Sequence, residues 1–400
     1  MTWRRQPPVL SPVSSRALVD GLGAAMGFRG SDHETVASAL RGRYGCLDAL
    51  LTDSGTSALV LALRKIVPPG GTVAYPSYAC IDLTSAALGS GVRVRLYDVD
   101  PATLSPDLDS VRGVIRRGVD AIVVAHLYGY PADVTGVRTL AAEQGIPVIE
   151  DAAQGAGGTL CNVPLGSLSD VAILSFGRGK GTTGGAGGAI LVRTPALAEW
   201  TSSARVNLGA GSRGGMEVLG LAAQRLLSHP YLYALPASLP GLKLGEMVYH
   251  PPRQPRAMSA ASGAILRWTL QLETQDVSSR RARATDLLSR VREIQGVGAV
   301  RSIPGGESGF LRVALIDKDG TRTPRADLGA IRGYPMTLDE HPQLQPVLLP
   351  GERSGRGSHF LRDHLFTAPT HSRVSQSDLA RIAEWLDSPS VAARFLAAAT

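Results

Sequence analysis

The sequence predicts an α/β protein whose mostly parallel sheet is sandwiched by helices. Short apolar runs alternate with helix-like patterns from about residue 46 to residue 193. The runs are continuously apolar rather than alternating, as in residues 121–125, which indicates strands buried on both faces. Since 400 residues exceed what one core usually holds, we also expect a second, smaller domain.

The elements follow in order along the chain. Strands are predicted at 46–51, 72–75, 92–97, 121–125, 148–149 and 171–176. Helices are predicted at 15–26, 32–44, 56–66, 82–88, 108–116 and 134–144. The alternation then stops, and a long helix (258–295), a strand (310–316) and a last helix (379–386) predict an α+β domain at the C-terminus.

These patterns divide the chain into four predicted parts. An N-terminal segment (1–30) is expected to pack on the small domain. A large domain (31–204) is followed by an apolar insertion or arm (205–257) and by the small C-terminal domain (258–400).

The arm differs in composition from the rest of the chain. It is rich in apolar residues and carries prolines at 230, 236, 240, 251 and 252, so a continuous helix beyond Pro230 is not expected. The favoured interpretation is an extended arm packed on its own subunit or on a partner subunit. The alternative is a weak contact with a membrane interface.

Composition narrows the class of protein. The net charge of +7 fits scattered surface arginines, or alternatively a preference for anionic ligands such as phosphates. No dense basic run with interleaved aromatic residues is present, so nucleic-acid binding is not expected. Cys46, Cys80 and Cys161 have no metal-type spacing and predict free thiols in a reducing cytoplasm. Neither a secretion signal nor an apolar stretch of membrane-spanning length is found.

Polar segments follow five of the predicted strands. In parallel sheets ligands bind outside the carboxyl ends of the strands, which meet at one rim. The segments that fall at such ends are 54–57, 76–80, 126–130, 151–154 and 175–180. The sequence therefore predicts one binding site built from these five segments.

Lys180 is the most informative residue of that rim. The chain has only four lysines, and arginine supplies nearly all other basic groups. A lysine amine can lose its proton and form an imine, which a guanidinium cannot do. The glycines around Lys180 suggest close backbone approach to a ligand, whereas the alternative is a solvated loop lysine.

Two other segments suggest complementary roles. Gly55, Thr56 and Ser57 lie at a strand-to-helix junction, where unpaired N–H groups and hydroxyls could hold a phosphate, although hydroxyls also serve as ordinary helix caps. Asp151 ends a buried strand and needs a partner, which could be the protonated pyridine nitrogen of pyridoxal phosphate (PLP). The alternative is a helix cap completed by Gln154.

Together these motifs resemble the DegT/DnrJ/EryC1/StrS family of PLP-dependent sugar aminotransferases. The resemblance rests on SGTSAL (54–59), HLYGYPAD (126–133), PVIEDAAQ (147–154), PLGSLSD (164–170), SFGRGK (175–180), TTGGAGG (182–188) and LFTAPTHSRVSQSDLARI (365–382). It implies a fold type I transferase whose large domain binds PLP. It also implies a homodimer with active sites at the interface.

The resemblance assigns roles residue by residue. Lys180 would form the imine with the cofactor and move protons, while Asp151 would pair with the pyridine nitrogen. Gln154 would lie near the ring hydroxyl. The phosphate would be held by Gly55, Thr56, Ser57 and Ser175. The implied reaction moves an amino group from glutamate or glutamine to a nucleotide-linked keto sugar, in polysaccharide or glycoconjugate biosynthesis.

The sequence departs from the family pattern at three places. Cys80 stands where the family has an aromatic residue that stacks on the cofactor, with Tyr78 nearby as the alternative. Ala186 replaces an acidic residue, and residues 254–258 differ from the usual segment before the second-domain helix. Two other functions therefore stay open: sugar dehydration, against which Lys180 counts, and a non-catalytic regulatory or assembly role.

Overall fold

A seven-stranded sheet forms the centre of the protein in the computed structural model, which describes residues 4–234 and 248–388. Its strands are β1 (Asp48–Thr52), β2 (Thr72–Pro76), β3 (Arg93–Tyr97), β4 (Ala121–Ala125), β5 (Val148–Asp151), β8 (Val171–Ser175) and β9 (Gly188–Val192), with the short strands β6 (Thr159–Leu160) and β7 (Val163–Pro164) lying outside it. The strand order is β1-β9-β8-β5-β4-β2-β3.

Five neighbouring strands are parallel, which confirms the predicted sheet. The parallel pairs are β3 with β2, β2 with β4, β4 with β5, and β5 with β8. Strand β9 was not predicted, and it runs antiparallel to both β8 and β1. Because β9 is antiparallel to β8, the glycine-rich loop of residues 176–187 joins the two strands at the rim where the other parallel strands end.

Helices cover both faces of this sheet. They are α2 (His33–Tyr44), α3 (Gly55–Ile66), α4 (Asp82–Ser90), α5 (Leu108–Arg116), α6 (Val134–Ala142) and α7 (Pro195–Asn207). Helices α1 (Ser15–Ala25) and α8 (Gly215–Leu227) instead contribute to a separate apolar core. Val73 and Tyr75 lie in the core beneath α3 and α4, whereas Ala74 lies in the core beneath α5 and α6. Successive residues of β2 are therefore buried on opposite faces, which explains the continuous apolar runs.

The C-terminal part of the chain forms an antiparallel sheet packed on two helices. Its strands are β10 (Val297–Ala299), β12 (Arg312–Asp317), β13 (Ile331–Arg332) and β14 (Leu365–Pro369), while β11 (Gly306–Glu307) pairs with β6. The helices of this part are α9 (Ala260–Val291), α10 (Arg356–His364) and α11 (Gln376–Asp387). Leu287 of α9 and Leu379 of α11 share one buried core with Val313 and Phe366 of the sheet.

The N-terminal segment contacts the C-terminal part of the chain. Gln6 Nε2 donates a hydrogen bond to the buried carboxylate of Asp378 at 2.7 Å. The backbone carbonyl of Pro7 accepts a hydrogen bond from His371 Nε2 at 2.8 Å. These bonds anchor residues 6–7 to the first turn of α11 and to the loop before it, while the division of the chain into four parts stays a prediction.

The extended-arm prediction is wrong for residues 215–227, which form helix α8. Val218 and Leu221 of α8 pack on Ala17 and Ile265 in a small apolar core. The sequence allows this helix because its apolar residues have helical spacing and the prolines begin only at Pro230. Residues 235–247 of the predicted arm lie outside the described residues. Within the described ranges, no helix combines the length and apolar character needed to cross a membrane.

Candidate active site

A cavity lies at the carboxyl ends of the parallel strands. All five strand-end segments contribute to it. The predicted site residues that line it are Gly55, Thr56, Cys80, Asp151, Gln154, Ser175 and Lys180. Side chains without a predicted role also line it, among them Asp82, His126 and Tyr334. Ser57 instead faces the larger groove that adjoins the cavity on the side of Lys180.

The amino end of α3 opens into this cavity. Ser54 caps the helix, because its hydroxyl accepts a hydrogen bond from the backbone N–H of Ser57 at 3.0 Å. The Ser54 and Ser57 hydroxyls also contact each other at 3.0 Å. Thr56 and Ser175 therefore supply the hydroxyls at the cavity wall, beside the partial positive charge of a helix amino terminus. Ser54 was missed as the cap, although a serine three residues before Ser57 fits that role.

Gly55 cannot carry a side chain at this position. A Cβ atom there would lie 2.8 Å from the Cβ atom of Ser175. The close approach brings the first turn of α3 against the end of β8, so an anion at the helix terminus would also reach Ser175.

Asp151 places a half-buried carboxylate at the end of β5. Its Oδ1 accepts a hydrogen bond from the backbone N–H of Ala153 at 3.0 Å. Burial raises the pKa of Asp151, whereas Ala153, Lys180 and His126 oppose that shift. No cation forms an ion pair with it among the described residues, so a protonated ring nitrogen in the cavity would supply its missing partner. The helix-cap alternative is wrong because residues 152–158 form turns rather than a helix.

Gln154 joins two parts of the chain at the cavity. Its Oε1 accepts a hydrogen bond from the backbone N–H of Tyr128 at 3.0 Å. Its Nε2 donates to the Tyr334 hydroxyl at 2.7 Å. The Gln154 amide therefore links Tyr128 to Tyr334 at the cavity wall and does not form a capping pattern with Asp151.

Lys180 follows β8 in a loop that the N-terminal segment fixes. The Ser11 hydroxyl donates to the carbonyl oxygen of Lys180 and accepts from the N–H of Gly179, both at 2.9 Å. The Lys180 side chain lines both the cavity and the adjoining groove. Its ammonium group forms no ion pair within the described part of the chain, so it is available to bind a ligand.

Three of the surrounding glycines are required by the backbone and by contacts within the protein. A Cβ atom on Gly188 would lie 2.5 Å from the backbone nitrogen of Gly55, and one on Gly184 would lie 2.8 Å from the Ser262 carbonyl oxygen. Gly187 has a φ of 113°, which side chains rarely adopt. Gly187 also lines the groove, so the interpretation that glycines here allow close approach of a ligand stays a prediction.

Cys80 occupies the cavity wall where the family pattern has an aromatic residue. Burial raises its pKa to about 12, so the thiol stays neutral. Tyr78 does not replace the aromatic, because it is fully buried and its hydroxyl accepts a hydrogen bond from the Tyr334 N–H at 2.8 Å. Tyr334 itself lines the cavity and stacks on Tyr128 at 5.3 Å. No sequence motif pointed to Tyr334, which lies 180 residues beyond Gln154.

A buried His–Glu pair supports the wall next to Asp151. His126 Nδ1 accepts a hydrogen bond from the Ala132 N–H, so its Nε2 carries the proton donated to Glu150 at 2.9 Å. Glu150 also accepts from the backbone N–H groups of Gly166 at 2.5 Å and Leu168 at 2.8 Å. This pair ties the ends of β4 and β5 to the 166–168 loop, and the sequence motif gave no sign of it.

Comparison with known protein families agrees with this geometry. The DegT/DnrJ/EryC1/StrS aminotransferase family matches residues 17–220, which include the cavity residues from Gly55 to Lys180. The chain belongs to this family. The predicted resemblance is therefore confirmed. Members of this aminotransferase family are PLP-dependent, as the resemblance implied.

Two characterised relatives illustrate the range of the family. L-glutamine:2-deoxy-scyllo-inosose aminotransferase of Streptomyces fradiae is 31% identical over 54% of this chain and 53% of its own length. UDP-N-acetyl-3-dehydro-alpha-D-glucosamine 3-aminotransferase of Acidithiobacillus ferrooxidans is 31% identical over 48% of this chain and 52% of its own. The matches thus span about half the length of these relatives.

A solved structure shows the same fold over a longer stretch. The aminotransferase TlmJ from Streptoalloteichus hindustanus superposes with a TM-score of 0.75 and 22% identity. The match covers 99% of this chain and 100% of that one. The fold type I assignment is thereby confirmed for this family member.

Proposed function

We propose that this protein is a PLP-dependent aminotransferase that aminates a keto sugar, with glutamate or glutamine as the amino donor. The observation that carries the proposal is the placement of Lys180 and Asp151 on one cavity at the amino end of α3. An amine, a carboxylate and an anion-binding helix terminus are the three groups that PLP requires.

The residues present fit the cofactor. The phosphate is assigned to Gly55, Thr56 and Ser175, with Ser57 supporting the turn. The pyridine nitrogen is assigned to Asp151, whose half-buried carboxylate has no cationic partner among the described residues. The ring hydroxyl is assigned to Gln154, and Cys80 and Tyr334 line the remaining wall.

The bound cofactor withdraws electrons from the carbon that loses its proton. The Lys180 amine then takes up that proton and returns it at the other end of the transfer, as a general base and acid. The Asp151 carboxylate keeps positive charge on the ring, which maintains the electron withdrawal. His126 and Glu150 hold the strand ends in place and keep the wall closed to water.

The groove beside the cavity supports a nucleotide-linked sugar as acceptor. Arg178 and Arg253 line it, and neither pairs with a carboxylate within residues 4–234 and 248–388. Two unpaired guanidinium groups suit the negative charges of a diphosphate. Ala186 also lines this groove, so the loss of the family's acidic residue removes a negative charge where the acceptor would lie.

We place the protein in the cytoplasm as a homodimer that works in polysaccharide or glycoconjugate biosynthesis. Its three cysteines are free, which suits a reducing compartment. The homodimer is proposed from the family resemblance, and the open groove leaves room for a second subunit near the acceptor.

The experiment is a two-stage amine transfer. PLP-loaded protein is first treated with L-glutamate or L-glutamine, the free donor is removed, and keto sugars with and without a nucleoside diphosphate are added. Mass spectrometry should show an aminated, nucleotide-linked product. Release of ammonia with a deoxygenated sugar would instead establish dehydration. A purified protein that takes up no PLP would support the non-catalytic role and refute the proposal.

A further inference from the structure

Helices α1 and α8 together present an apolar surface to the solvent. The exposed large hydrophobic residues of the described chain number thirteen, of which four lie within residues 19–28 and six within 206–232. The α1/α8 face is defined by seven of them, each between 49% and 77% exposed: Val19, Leu22, Met26, Phe28, Met216, Leu219 and Leu226. Such concentration in two segments is unusual, since single exposed apolar residues are normally scattered.

The two helices bury one apolar side and expose another. On α8, Val218 and Leu221 face the core, while Met216, Leu219 and Leu226 recur at helical spacing on the outer side. The outer stripe of α1 follows the same spacing, with Val19, Leu22 and Met26. A helix that is apolar on both sides is normally covered on both, so the outer side of α8 needs an apolar environment.

Three arginines of the same segments have no acidic partner in the described part of the chain. Arg16 lies over the Trp268 ring at 4.1 Å, and Arg213 donates to the Met26 carbonyl oxygen at 3.2 Å. Arg225 of α8 donates to the backbone carbonyl of residue 13. None of these three arginines pairs with a carboxylate in the described ranges, so they add unneutralised positive charge near the face.

We propose that the α1/α8 face docks on the surface of a bilayer that contains anionic lipids. The apolar stripes would enter the interface between headgroups and acyl chains, and the arginines would contact phosphate groups. The arginines without an acidic partner in the described ranges favour anionic lipid as the occupant. A second copy of the chain would instead bury the same apolar side chains in a subunit interface, which the oligomeric state of the variants distinguishes.

The test is co-sedimentation of the full-length, PLP-loaded protein with vesicles. Vesicles of phosphatidylglycerol and phosphatidylcholine in equal amounts are compared with vesicles of phosphatidylcholine alone. We expect binding to the anionic vesicles that weakens as salt is added. Leu22→Glu and Leu219→Glu should each reduce the partition coefficient at least tenfold. Arg213→Gln and Arg225→Gln should each reduce it about fivefold.

Val163→Glu is the matched control, because Val163 is exposed but lies on β7, outside the face. It should bind like the unmodified protein, and circular dichroism should show every variant folded. Three results would overturn the proposal. These are no binding to anionic vesicles, an equal loss in the control, or smaller oligomers in Leu22→Glu and Leu219→Glu, which would make the face a subunit interface. Binding that is independent of PLP loading would leave the proposed activity unaffected.

Discussion

The cavity and the α1/α8 face differ in how their side chains are partnered within the chain. Around the cavity, buried polar groups such as Glu150 and Gln154 have hydrogen-bond partners within the chain. On the α1/α8 face, apolar side chains point outward and arginines have no acidic partner in the described ranges. The cavity therefore needs only its ligand, whereas the α1/α8 face needs a partner that covers it.

The difference has consequences for mutation. Removing one group at the cavity leaves other buried groups unpaired, so the cost should be large. Removing one apolar side chain at the face deletes little that is buried in the free protein, so its effect should appear only in docking. Variants of the two regions test this contrast, and their expected effects range from a large loss of turnover to a small loss of stability.

The largest effect is expected from Asp151→Asn. An amide cannot supply the negative charge that stabilises a protonated ring nitrogen, so turnover should fall about 10²-fold to 10³-fold. The comparison is Asp170→Asn, which changes an exposed carboxylate and should retain activity. Steady-state rates with saturating PLP would measure this. Equal rates for Asp151→Asn and the unmodified enzyme would remove Asp151 from the mechanism.

Glu150→Ala should destabilise the fold strongly. It leaves His126 and the N–H groups of Gly166 and Leu168 without an acceptor, which should cost about 3 kcal/mol or more of unfolding free energy. Leu219→Ala on the α1/α8 face should change stability by less than about 0.5 kcal/mol. Urea denaturation of both variants gives the comparison. Similar losses in the two would show that the contrast between the regions is wrong.

Acid should weaken the junction between the N-terminal segment and α11. Burial, together with the nearby Arg312 guanidinium, lowers the pKa of His371 to about 4, although the hydrogen bond from its Nε2 to the Pro7 carbonyl opposes the shift. The unfolded chain then binds more protons, so stability is full above pH 6.5 and falls as the pH drops toward 4. The loss should reach up to about 3 kcal/mol. His371→Gln should be less stable at neutral pH yet show a flatter pH dependence. An unchanged pH slope in that variant would exclude His371 as the cause.

The smallest effect is expected from Tyr334→Phe. It removes the hydroxyl that accepts from Gln154 but keeps the ring that stacks on Tyr128. A loss of about 1 kcal/mol in stability is expected, with weaker PLP binding because Gln154 loses its anchor. Tyr231→Phe on an exposed tyrosine is the control. If both variants bind PLP equally well, the link from Tyr334 to the cofactor site is refuted.

Much of the cavity could be predicted from sequence, because strand ends in a parallel sheet converge wherever the strands lie. Lys180, Asp151 and Gly55 belong to segments that directly follow predicted strands. Tyr334 could not be found in this way, since it reaches the cavity through a long-range contact from an irregular loop. Strand β9 was missed although residues 189–192 form an apolar run, and its antiparallel direction depends on the path of the 176–187 loop, which apolar periodicity does not reveal.

In the predicted arm (205–257), composition led to a wrong prediction of extended structure for residues 215–227. Prolines at 230 and beyond suggested an extended segment, but the thirteen residues of α8 precede them and follow a helical period. What periodicity could not show is that α8 has two apolar sides, because only the packing on Ala17 and Ile265 identifies which side is buried.

The most direct test of the account is a titration of the apo-protein with PLP, followed by visible absorbance. The unmodified chain should develop the absorption band of a lysine-bound cofactor, and the band should decay when glutamate or glutamine is added. Lys180→Ala should bind PLP without that band, whereas Lys65→Ala, which alters an exposed lysine on α3, should behave like the unmodified protein. A Lys180→Ala protein that keeps the band and still transfers the amino group would contradict the central assignment.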